Sequence, residues 1–404
     1  MPSATAVRQA SAVRTPIGGR PASGSLFLLL IAVCTAVTAA NIYLAAPLLP
    51  LIAQDFGTTP AAVAWTASVA QLGYAAGLLF FAPLGDRVDR RRLVAWLSVA
   101  TTAALLLAAV APGIAALAVA VFFAAAATVV PQLLVPLVAA RAPADRRARH
   151  VAAVVAGLFT GIVAARVLGG LVGQGFGWRW VFAGSAVLTL ALGLATALVL
   201  PAERRVRRGG LFSGPAELPG LLRRSPELWR ACLRQAGMFG AWSALWTSLS
   251  LLLTGPGYGL STATAGLFGL FGLTASAVAP PAGGLVDRFG AARVVGTAYA
   301  LAAVAVPLFW LGGHVLPALF AAAIAIHAAL VASHVANQTL ALTTTSTPAT
   351  ANTAYVVSGF AGGALASAAA GPAFGHWGWA GVCAVAGLWL VLGWAGTAGG
   401  RGRR

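Results

Sequence analysis

Charge is scarce in this sequence, and lysine and acidic residues are the scarcest. Only 8% of the 404 residues are charged; Asp and Glu together number eight, and all 26 basic residues are arginine. Soluble domains carry about 25% charged residues, so a soluble chain of this length could not cover its surface. Because the arginines separate long apolar runs, the formal charge of +18 does not indicate nucleic-acid binding. The composition predicts an all-α, polytopic membrane protein.

Cysteine is also sparse, and its placement excludes several kinds of site. Cys34, Cys232 and Cys383 lie in separate apolar segments, which provides neither a disulfide framework nor the spacing of a metal site. The sequence contains no Walker-type nucleotide loop, no kinase pattern and no catalytic Ser, Cys or zinc constellation. We therefore expect no enzyme activity, no metal and no cofactor.

Long apolar runs divide the chain into twelve segments, each close to the roughly 20 residues that a spanning helix needs. The first six predicted spans cover 26–51, 61–83, 93–111, 114–140, 151–173 and 180–200. The second six cover 231–254, 262–285, 294–311, 315–342, 353–374 and 380–394. The first run is too long for a cleaved signal peptide and is interpreted as a spanning helix.

The arginines fall on one side of these spans. Of the 26, 24 lie on one side, in the two tails, in every second loop or, for Arg234, at the start of span seven; the exceptions are Arg166, inside span five, and Arg179, at the opposite end of the spans. The positive-inside rule then places both termini in the cytoplasm. For a bacterial protein this predicts the cytoplasmic membrane, and the lysine-free composition suggests a GC-rich bacterium.

Two halves of the sequence repeat at an offset of 201 residues. Gly177-Trp178 matches Gly378-Trp379, and Asp86-Arg87 matches Asp287-Arg288. A duplicated six-helix unit is typical of transporters. The predicted organisation is a disordered cytoplasmic tail (1–25), an N-terminal six-helix bundle (26–200), a cytoplasmic linker (201–230), a C-terminal bundle (231–396) and a basic tail (397–404).

The loop after span two carries a recognisable motif. Residues 82–91 read APLGDRVDRR and keep Asp86, Arg87, Arg90 and Arg91 of the pattern G-x-x-x-D-R-x-G-R-R, with Asp89 where glycine is usual. The second copy keeps Asp287 and Arg288. With twelve spans and a two-fold repeat, the sequence resembles the major facilitator superfamily (MFS) over residues 26–396.

The resemblance implies two six-helix bundles related by a pseudo-two-fold axis, with a central cavity lined by spans one, four, seven and ten. It also implies that Asp86, Arg87, Arg90, Arg91, Asp287 and Arg288 form a cytoplasmic gate. The sequence also contains Asn41-Ile42-Tyr43, Gln71-Leu72-Gly73-Tyr74 and Asn337-Gln338-Thr339. In these segments the chain is similar, within the superfamily, to the arabinose-efflux-permease-like exporters. It departs from drug–proton antiporters at Ala165-Arg166, where these carry Gly-Pro. The arginine that many relatives carry in span four is also missing, and Gln132 is the polar residue available in that span.

No Asp or Glu lies inside any predicted span, so the usual proton-carrying carboxylate of exporters is absent. His327 and His334 are seven residues apart in span ten and share a helix face. They are the candidates for proton coupling because histidine titrates near neutral pH. Hydrogen bonding to neighbouring helices and substrate contact are the alternatives. Arg166 lies about 22 Å along span five, and carbonyl groups, Asp55 or an anionic ligand could neutralise it.

Further polar and aromatic residues in the spans predict a cavity for a largely apolar organic molecule. Trp242 and Trp246 are one turn apart and could form an aromatic wall, although core packing produces the same spacing. The predicted cavity residues are Asn41, Tyr43, Gln71, Gln132, Arg166, Trp242, Trp246, His327, His334, Asn337, Gln338, Asn352 and Tyr355.

The leading hypothesis is a monomeric secondary active exporter of a small organic compound, such as a drug, sugar or secondary metabolite, driven by proton antiport. An uptake symporter or uniporter on the same fold is the alternative, since orientation does not fix the direction of transport. A membrane scaffold or sensor is the third hypothesis, but it would not need amides and histidines in its spans.

Overall fold

The computed structural model describes residues 25–86, 88–142, 147–201, 213–343 and 348–398, and every regular element in these ranges is helical. Most of the predicted tails, much of the predicted linker and the gate residue Arg87 lie outside the described residues. The N-terminal half contains α1 (Ser25–Ala40), α2 (Ala45–Asp55), α3 (Pro60–Val63), α4 (Trp65–Phe81), a 3-10 turn (Ala82–Asp86), α5 (Arg90–Ala109), α6 (Ile114–Ala127), α7 (Val130–Arg141), α8 (Arg147–Phe176) and α9 (Trp178–Val199).

The C-terminal half begins with a helix in the predicted linker. It contains α10 (Ser213–Arg224), α11 (Pro226–Thr254), α12 (Thr262–Leu267), a 3-10 segment (Phe268–Gly272), α13 (Leu273–Phe289), α14 (Ala291–Leu311), α15 (Leu316–Thr343) and α16 (Pro348–Ala398). Helix α10 packs Leu218, Leu221 and Leu222 against a buried cluster that includes Leu228 and Tyr355. The predicted start of the C-terminal bundle, residue 231, lies inside α11.

By length and composition, ten of the described helices can cross a membrane, or eleven if α1 and α2, bent by 42°, form one span. The last of them, α16, folds back at Gly378, whose φ of 59° and ψ of −148° are not helical. A Cβ added at Gly240 of α11 would lie 3.0 Å from the Trp389 side chain and 3.2 Å from the Gly362 carbonyl oxygen. Gly362 precedes Gly378 and Trp389 follows it, so the helical segments on both sides of the turn contact α11. The total of twelve spans and the cytoplasmic termini stay predictions.

Proline explains the two breaks that divide predicted spans one and four. A proline ring clashes with the carbonyl group four residues earlier. Pro47 therefore interrupts the helix at residues 41–44, between α1 and α2. Pro131 likewise interrupts the helix after Ala127, between α6 and α7. These breaks place Asn41, Tyr43 and Thr128 on irregular backbone in the middle of their spans.

The backbone repeats the 201-residue offset. Gly177 and Gly378 both adopt positive φ (94° and 59°), a region that favours glycine, and each begins a helix with a buried tryptophan, Trp178 or Trp379. These two tryptophan rings are buried, whereas those of Trp180, Trp310 and Trp377 are exposed. Exposed apolar side chains suit a surface that faces lipid.

Helices inside each half cross closely through glycine. A Cβ added at Gly73 or Gly77 of α4 would overlap backbone carbonyl oxygens of α6, and one at Gly157 or Gly161 of α8 would overlap those of α1. Small residues spaced by four allow such approach where lipid supplies no hydrophobic driving force between helices. Below, "inner" denotes the face of the arginine-rich loops and "outer" the opposite face.

Candidate substrate cavity

An aromatic cluster joins the two halves near the centre of the molecule; we define it as Tyr43, Tyr74, Phe239, Trp242, Trp246 and Phe360. Trp242 and Trp246, one turn apart on α11, stack with ring centroids 6.2 Å apart and an interplanar angle of 17°. From the break between α1 and α2, Tyr43 meets Trp242 edge-on at 6.3 Å. The predicted aromatic wall therefore exists as a packed structure; its role in binding stays a prediction.

Three members of the cluster were not among the predicted site residues. Phe239 lies 5.2 Å from Trp242 and 4.9 Å from Phe360, and Tyr74 of α4 lies 4.6 Å from Phe360. Phe239, Trp242 and Trp246 follow the helical spacing of one face, which is the signal that could have identified Phe239. The contact between Tyr74 and Phe360 joins the halves and has no local sequence signal.

Both ring nitrogens of His327 are hydrogen-bonded. Nε2 lies 3.1 Å from the indole Nε1 of Trp242, and Nδ1 lies 2.7 Å from the carbonyl oxygen of Ala323. An indole N–H only donates and a carbonyl oxygen only accepts, so the proton is on Nδ1 and the ring is neutral. The buried ring also packs 4.3 Å from Trp246. A second proton on Nε2 would point at the indole N–H of Trp242, so it would break the hydrogen bond that Nε2 accepts.

Arg166 crosses from α8 to the C-terminal half. Its side chain is buried, and Nη1 donates to the carbonyl oxygen of Trp246 at 3.2 Å. The guanidinium carbon lies 5.2 Å from the centre of the Trp246 ring, within the range of a cation–π interaction. Gly269 makes room for this path, because an added Cβ there would lie 2.7 Å from the Cβ of Arg166.

The carbonyl group proposed as a partner of Arg166 is therefore present, whereas Asp55 pairs elsewhere. Asp55 forms a salt bridge with Arg179 at the outer end of the bundle, and Arg179 also donates to the carbonyl oxygen of Ala111 at 3.3 Å. Arg179 further lies over the ring of Trp178, 4.3 Å from its centre. Arg179, an exception to the arginine distribution, thus ties together outer ends of the N-terminal half.

A polar junction, which we define as Gln71, Ser243, Thr247 and Ser367, links the two halves beside the cluster. Gln71 of α4 donates through Nε2 to the hydroxyl groups of Ser243 (2.6 Å) and Ser367 (3.3 Å), which lie 2.7 Å from each other. Thr247 lies 3.4 Å from Ser367. Gly363 leaves space for the Gln71 amide oxygen, which is buried without a hydrogen-bond donor. Sequence analysis identified Gln71 but none of its partners.

Asn41 is not brought to the interface between the halves. Its amide nitrogen donates to the hydroxyl groups of Thr128 (3.2 Å) and Thr189 (3.0 Å), and its amide oxygen accepts from Ser185 (2.6 Å). These partners belong to the N-terminal half, so the amide stabilises the broken centre of that bundle. Its assignment to the cavity gains no support from this geometry.

The predicted amides Gln132, Gln338 and Asn337 each donate a hydrogen bond to one nearby side chain. Gln132 Nε2 donates to the Tyr74 hydroxyl at 3.3 Å, beside the aromatic cluster. Gln338 donates to Asn352 Oδ1 at 2.8 Å, linking α15 to α16. Asn337 is fully buried and donates to Ser333 within its own helix.

His334 differs from His327. Its ring is half-buried, and Nδ1 lies 3.4 Å from the hydroxyl group of Tyr355, which donates to Gln235 Oε1 at 2.6 Å. Nε2 makes no hydrogen bond to the described residues. His334 therefore keeps a nitrogen that can take a proton without breaking an existing contact.

The gate motif is described in part. Buried Arg90 donates through Nε to the carbonyl oxygen of Gly85 at 3.0 Å. Asp89 caps α5 by accepting from the backbone N–H of Arg91 at 2.9 Å, which gives the departure from glycine a structural use. In the second copy, Arg288 lies 5.1 Å from the centre of the Phe289 ring. The side chain of Asp86 lies outside the described residues, so its part in the cytoplasmic gate stays a prediction.

Hydrogen bonds close the outer side between the halves. Besides the contacts of Arg166 and Gln71, Ser250 donates to the carbonyl oxygen of Ala46 (2.9 Å), and the N–H of Thr262 donates to Gln174 Oε1 (3.2 Å). The pocket beside Arg166 and Trp246 has room for about one water molecule. The described residues contain no group of three or more His, Cys, Asp or Glu side chains that could hold a metal ion.

Two pseudo-symmetric helical bundles that meet at a buried aromatic and polar interface define a membrane transporter. The sequence profile of the Major Facilitator Superfamily matches residues 31–276, and the chain belongs to this family. It is 75% identical over 391 residues to a "Probable transporter" of Streptomyces coelicolor, covering 96% of this chain and 91% of the relative. It is 32% identical over 373 residues to the transporter YgaY of Escherichia coli O157:H7, covering 90% and 93%. The structure of the nucleoside transporter NupG superposes with a TM-score of 0.74 at 14% identity, covering 92% and 99%.

Proposed function

We propose that this MFS protein exports a small organic compound by alternating access. The observation that carries the proposal is the aromatic cluster, because its rings come from both halves and meet where the halves must separate. Aromatic faces with a few amide and charged groups suit a largely apolar molecule with a few polar substituents. Catalysis, a cofactor and a second subunit are not needed for this function.

The contacts between the halves support a two-state mechanism. The outer side is held by single hydrogen bonds to Trp246, Ala46 and Gln174 and by the polar junction. Contacts of this kind can be exchanged one set for another when rigid bundles rock. We assign the structure to a state closed on the outer side. In the opposite state, the gate motif around Asp86 and Arg90 would close the inner side.

We propose proton antiport as the driving force, with His334 as the coupling group in preference to His327. His327 has both nitrogens occupied, whereas His334 has Nε2 available. Export then requires that protonation of His334 and occupation of the cavity favour opposite states. The predicted location is the cytoplasmic membrane of a bacterium, with the protein acting as a monomer.

The test is accumulation in everted membrane vesicles with an acidic lumen, using radiolabelled 2-naphthoate, 2-naphthamide and 2-naphthylmethylamine as probes. An exporter that exchanges its substrate for protons accumulates at least one probe above the level in vesicles that lack the protein. Trp246→Ala should abolish the accumulation, whereas Trp310→Ala, at an exposed tryptophan, should not. If no probe accumulates in everted vesicles and one enters right-side-out vesicles instead, uptake replaces export.

A further inference from the structure

Arg166 is a buried positive charge that its surroundings neutralise only in part. Its side chain is 7% exposed, and one guanidinium nitrogen donates to a carbonyl oxygen, while Nε is buried without an acceptor. A guanidinium group has five N–H donors, and a charge inside a spanning region is costly unless it is paired. Among the described residues, the positive charge of Arg166 therefore has no anionic partner.

Among the described residues, no acidic side chain lies beside Arg166 to supply that partner. All eight Asp and Glu residues lie outside the predicted spans, and Asp55, the acid at the outer end of span one, pairs with Arg179. The opposite half offers Ser367 at the repeat-related position, and this hydroxyl belongs to the polar junction. An anionic ligand is therefore the partner that the surroundings of Arg166 leave room for.

The space next to Arg166 has the character of a binding site for an aromatic anion. The pocket is lined by Arg166, Pro47, Trp246, Ser250 and Phe268, together with small residues of α12 and the adjoining 3-10 segment. Trp246 presents its ring to the guanidinium group and continues into the stack with Trp242. An acidic group at Arg166 would thus leave an attached aromatic ring beside the stacked tryptophans.

We propose that the transported compound is an organic anion, whose carboxylate or similar acidic group pairs with Arg166 while its aromatic body packs on Trp246 and Trp242. This proposal rests on the proposed function, because the closed pocket holds about one water molecule and the halves must separate to admit the compound. The carboxylate accepts from Nε and from a second guanidinium N–H, the two-point geometry that arginine offers to carboxylates.

The test is equilibrium binding of tritiated 2-naphthoate to the purified full-length protein in phosphatidylcholine nanodiscs, in gluconate buffer and without any gradient. The neutral isostere 2-naphthamide competes, and acetate and chloride are separate arms. We expect the amide to bind at least about tenfold more weakly than the acid. Arg166→Gln should remove this preference, Arg166→Lys should retain part of it, and Arg179→Gln, which affects a surface-paired arginine, should leave it unchanged.

Any of four binding results would overturn the proposal. The wild-type protein binds the acid and the amide with equal affinity, or it binds neither. The preference for the acid is unchanged in Arg166→Gln, or chloride displaces naphthoate at similar concentrations, which would indicate an inorganic-anion site. Because binding is measured without a gradient, a protein that binds naphthoate but accumulates no probe in vesicles contradicts the transport proposal alone. A protein that accumulates only the amide or the amine contradicts the anion proposal alone.

Discussion

At the scale of single residues, two histidines on one helix face have different chemistry. The indole N–H of Trp242 and the carbonyl oxygen of Ala323 fix the proton of His327 on Nδ1. A tryptophan one helix away thus decides which histidine can take part in proton exchange. The sequence shows the spacing of seven residues but not the contact of His327 with Trp242, because Trp242 belongs to a different span and packing brings the two together.

Trp242→Phe tests the importance of this hydrogen bond. The substitution keeps an aromatic ring in the stack but leaves Nε2 of His327 buried without a donor, which costs about 1–3 kcal/mol. We expect a lower thermal midpoint, measured by fluorescence-detected size exclusion after heating. Trp310→Phe changes an exposed tryptophan and should leave the midpoint unchanged. Equal midpoints for both variants would show that the His327 contact does not contribute to stability.

His334→Gln and His327→Gln should separate the two histidines in function. We expect His334→Gln to remove the dependence of accumulation on the pH gradient, because it replaces the histidine with an available nitrogen by a side chain that does not titrate. His327→Gln should reduce the amount of folded protein and leave the dependence on the gradient in the remainder. The measurement is accumulation per folded protein in everted vesicles at two gradients. If His334→Gln retains the full dependence, His334 is a packing residue.

At the scale of helices, the sequence predicts the features that depend on local composition, such as the positions of the apolar spans. The apolar runs predict the positions of the spans to within a few residues, and the break between predicted spans eleven and twelve coincides with the turn at Gly378. The internal breaks at residues 41–44 and 128–129 were not predicted, although Pro47 and Pro131 signal them once the proline rule is applied. The linker helix α10 was missed because its proline and arginine content indicates a loop.

The candidate site was predicted less completely, for a physical reason. Trp242, Trp246, His327 and Arg166 were identified because polar and aromatic residues stand out in apolar spans. Their pairing depends on contacts between residues 80 or more positions apart, such as Arg166 with Trp246. Serine and threonine are common in spanning helices, so nothing local distinguishes Ser367 of the polar junction from a residue that bonds its own backbone. Asn41 was assigned to the cavity for the same lack of long-range information.

Gly77→Ala tests the close crossing of α4 with α6. The added methyl group would overlap the carbonyl oxygen of Ala126, and the backbones would have to move apart, at a cost of about 1–3 kcal/mol. Gly184→Ala is the matched control, since a Cβ in the middle of α9 meets nothing within 4 Å and improves helix propensity. We expect a lower thermal midpoint for the first variant and an equal or higher midpoint for the second. The reverse order would contradict the packing described here.

At the scale of the whole molecule, the two halves share a backbone turn at equivalent positions but carry different functional side chains at others. Gly177 and Gly378 preserve one turn at equivalent positions, whereas Arg166 corresponds to Ser367 and Asn41 to Trp242. The N-terminal half contributes the buried charge, and the C-terminal half contributes most of the aromatic rings. Each half therefore presents to the other a surface that it could not satisfy by itself. The polar junction is the part of this surface where hydroxyl groups and an amide hold the outer side closed.

Gln71→Met should shift the balance between the two transport states. Methionine fills a similar volume but removes two hydrogen bonds to the C-terminal half, while Ser243 and Ser367 can still bond each other. A hydrogen bond contributes about 1 kcal/mol net, and this energy changes a population ratio about fivefold. The outward-open state loses nothing by the substitution, because the junction is already separated there. The ratio of outward-open to closed molecules should therefore be at least about fivefold higher in the variant than in the wild-type protein.

The measurement is the distance between spin labels at Gln54→Cys and Gly257→Cys, two exposed positions in outer segments of opposite halves. The native Cys34, Cys232 and Cys383 are buried and are replaced by alanine if they react. We expect a longer distance to gain population in Gln71→Met. Thr160→Val removes an exposed hydroxyl that bonds its own helix and should keep the wild-type distribution. If Gln71→Met also keeps it, the junction packs the closed state without controlling it, and the outer side is held by Arg166, Ser250 and Gln174 instead.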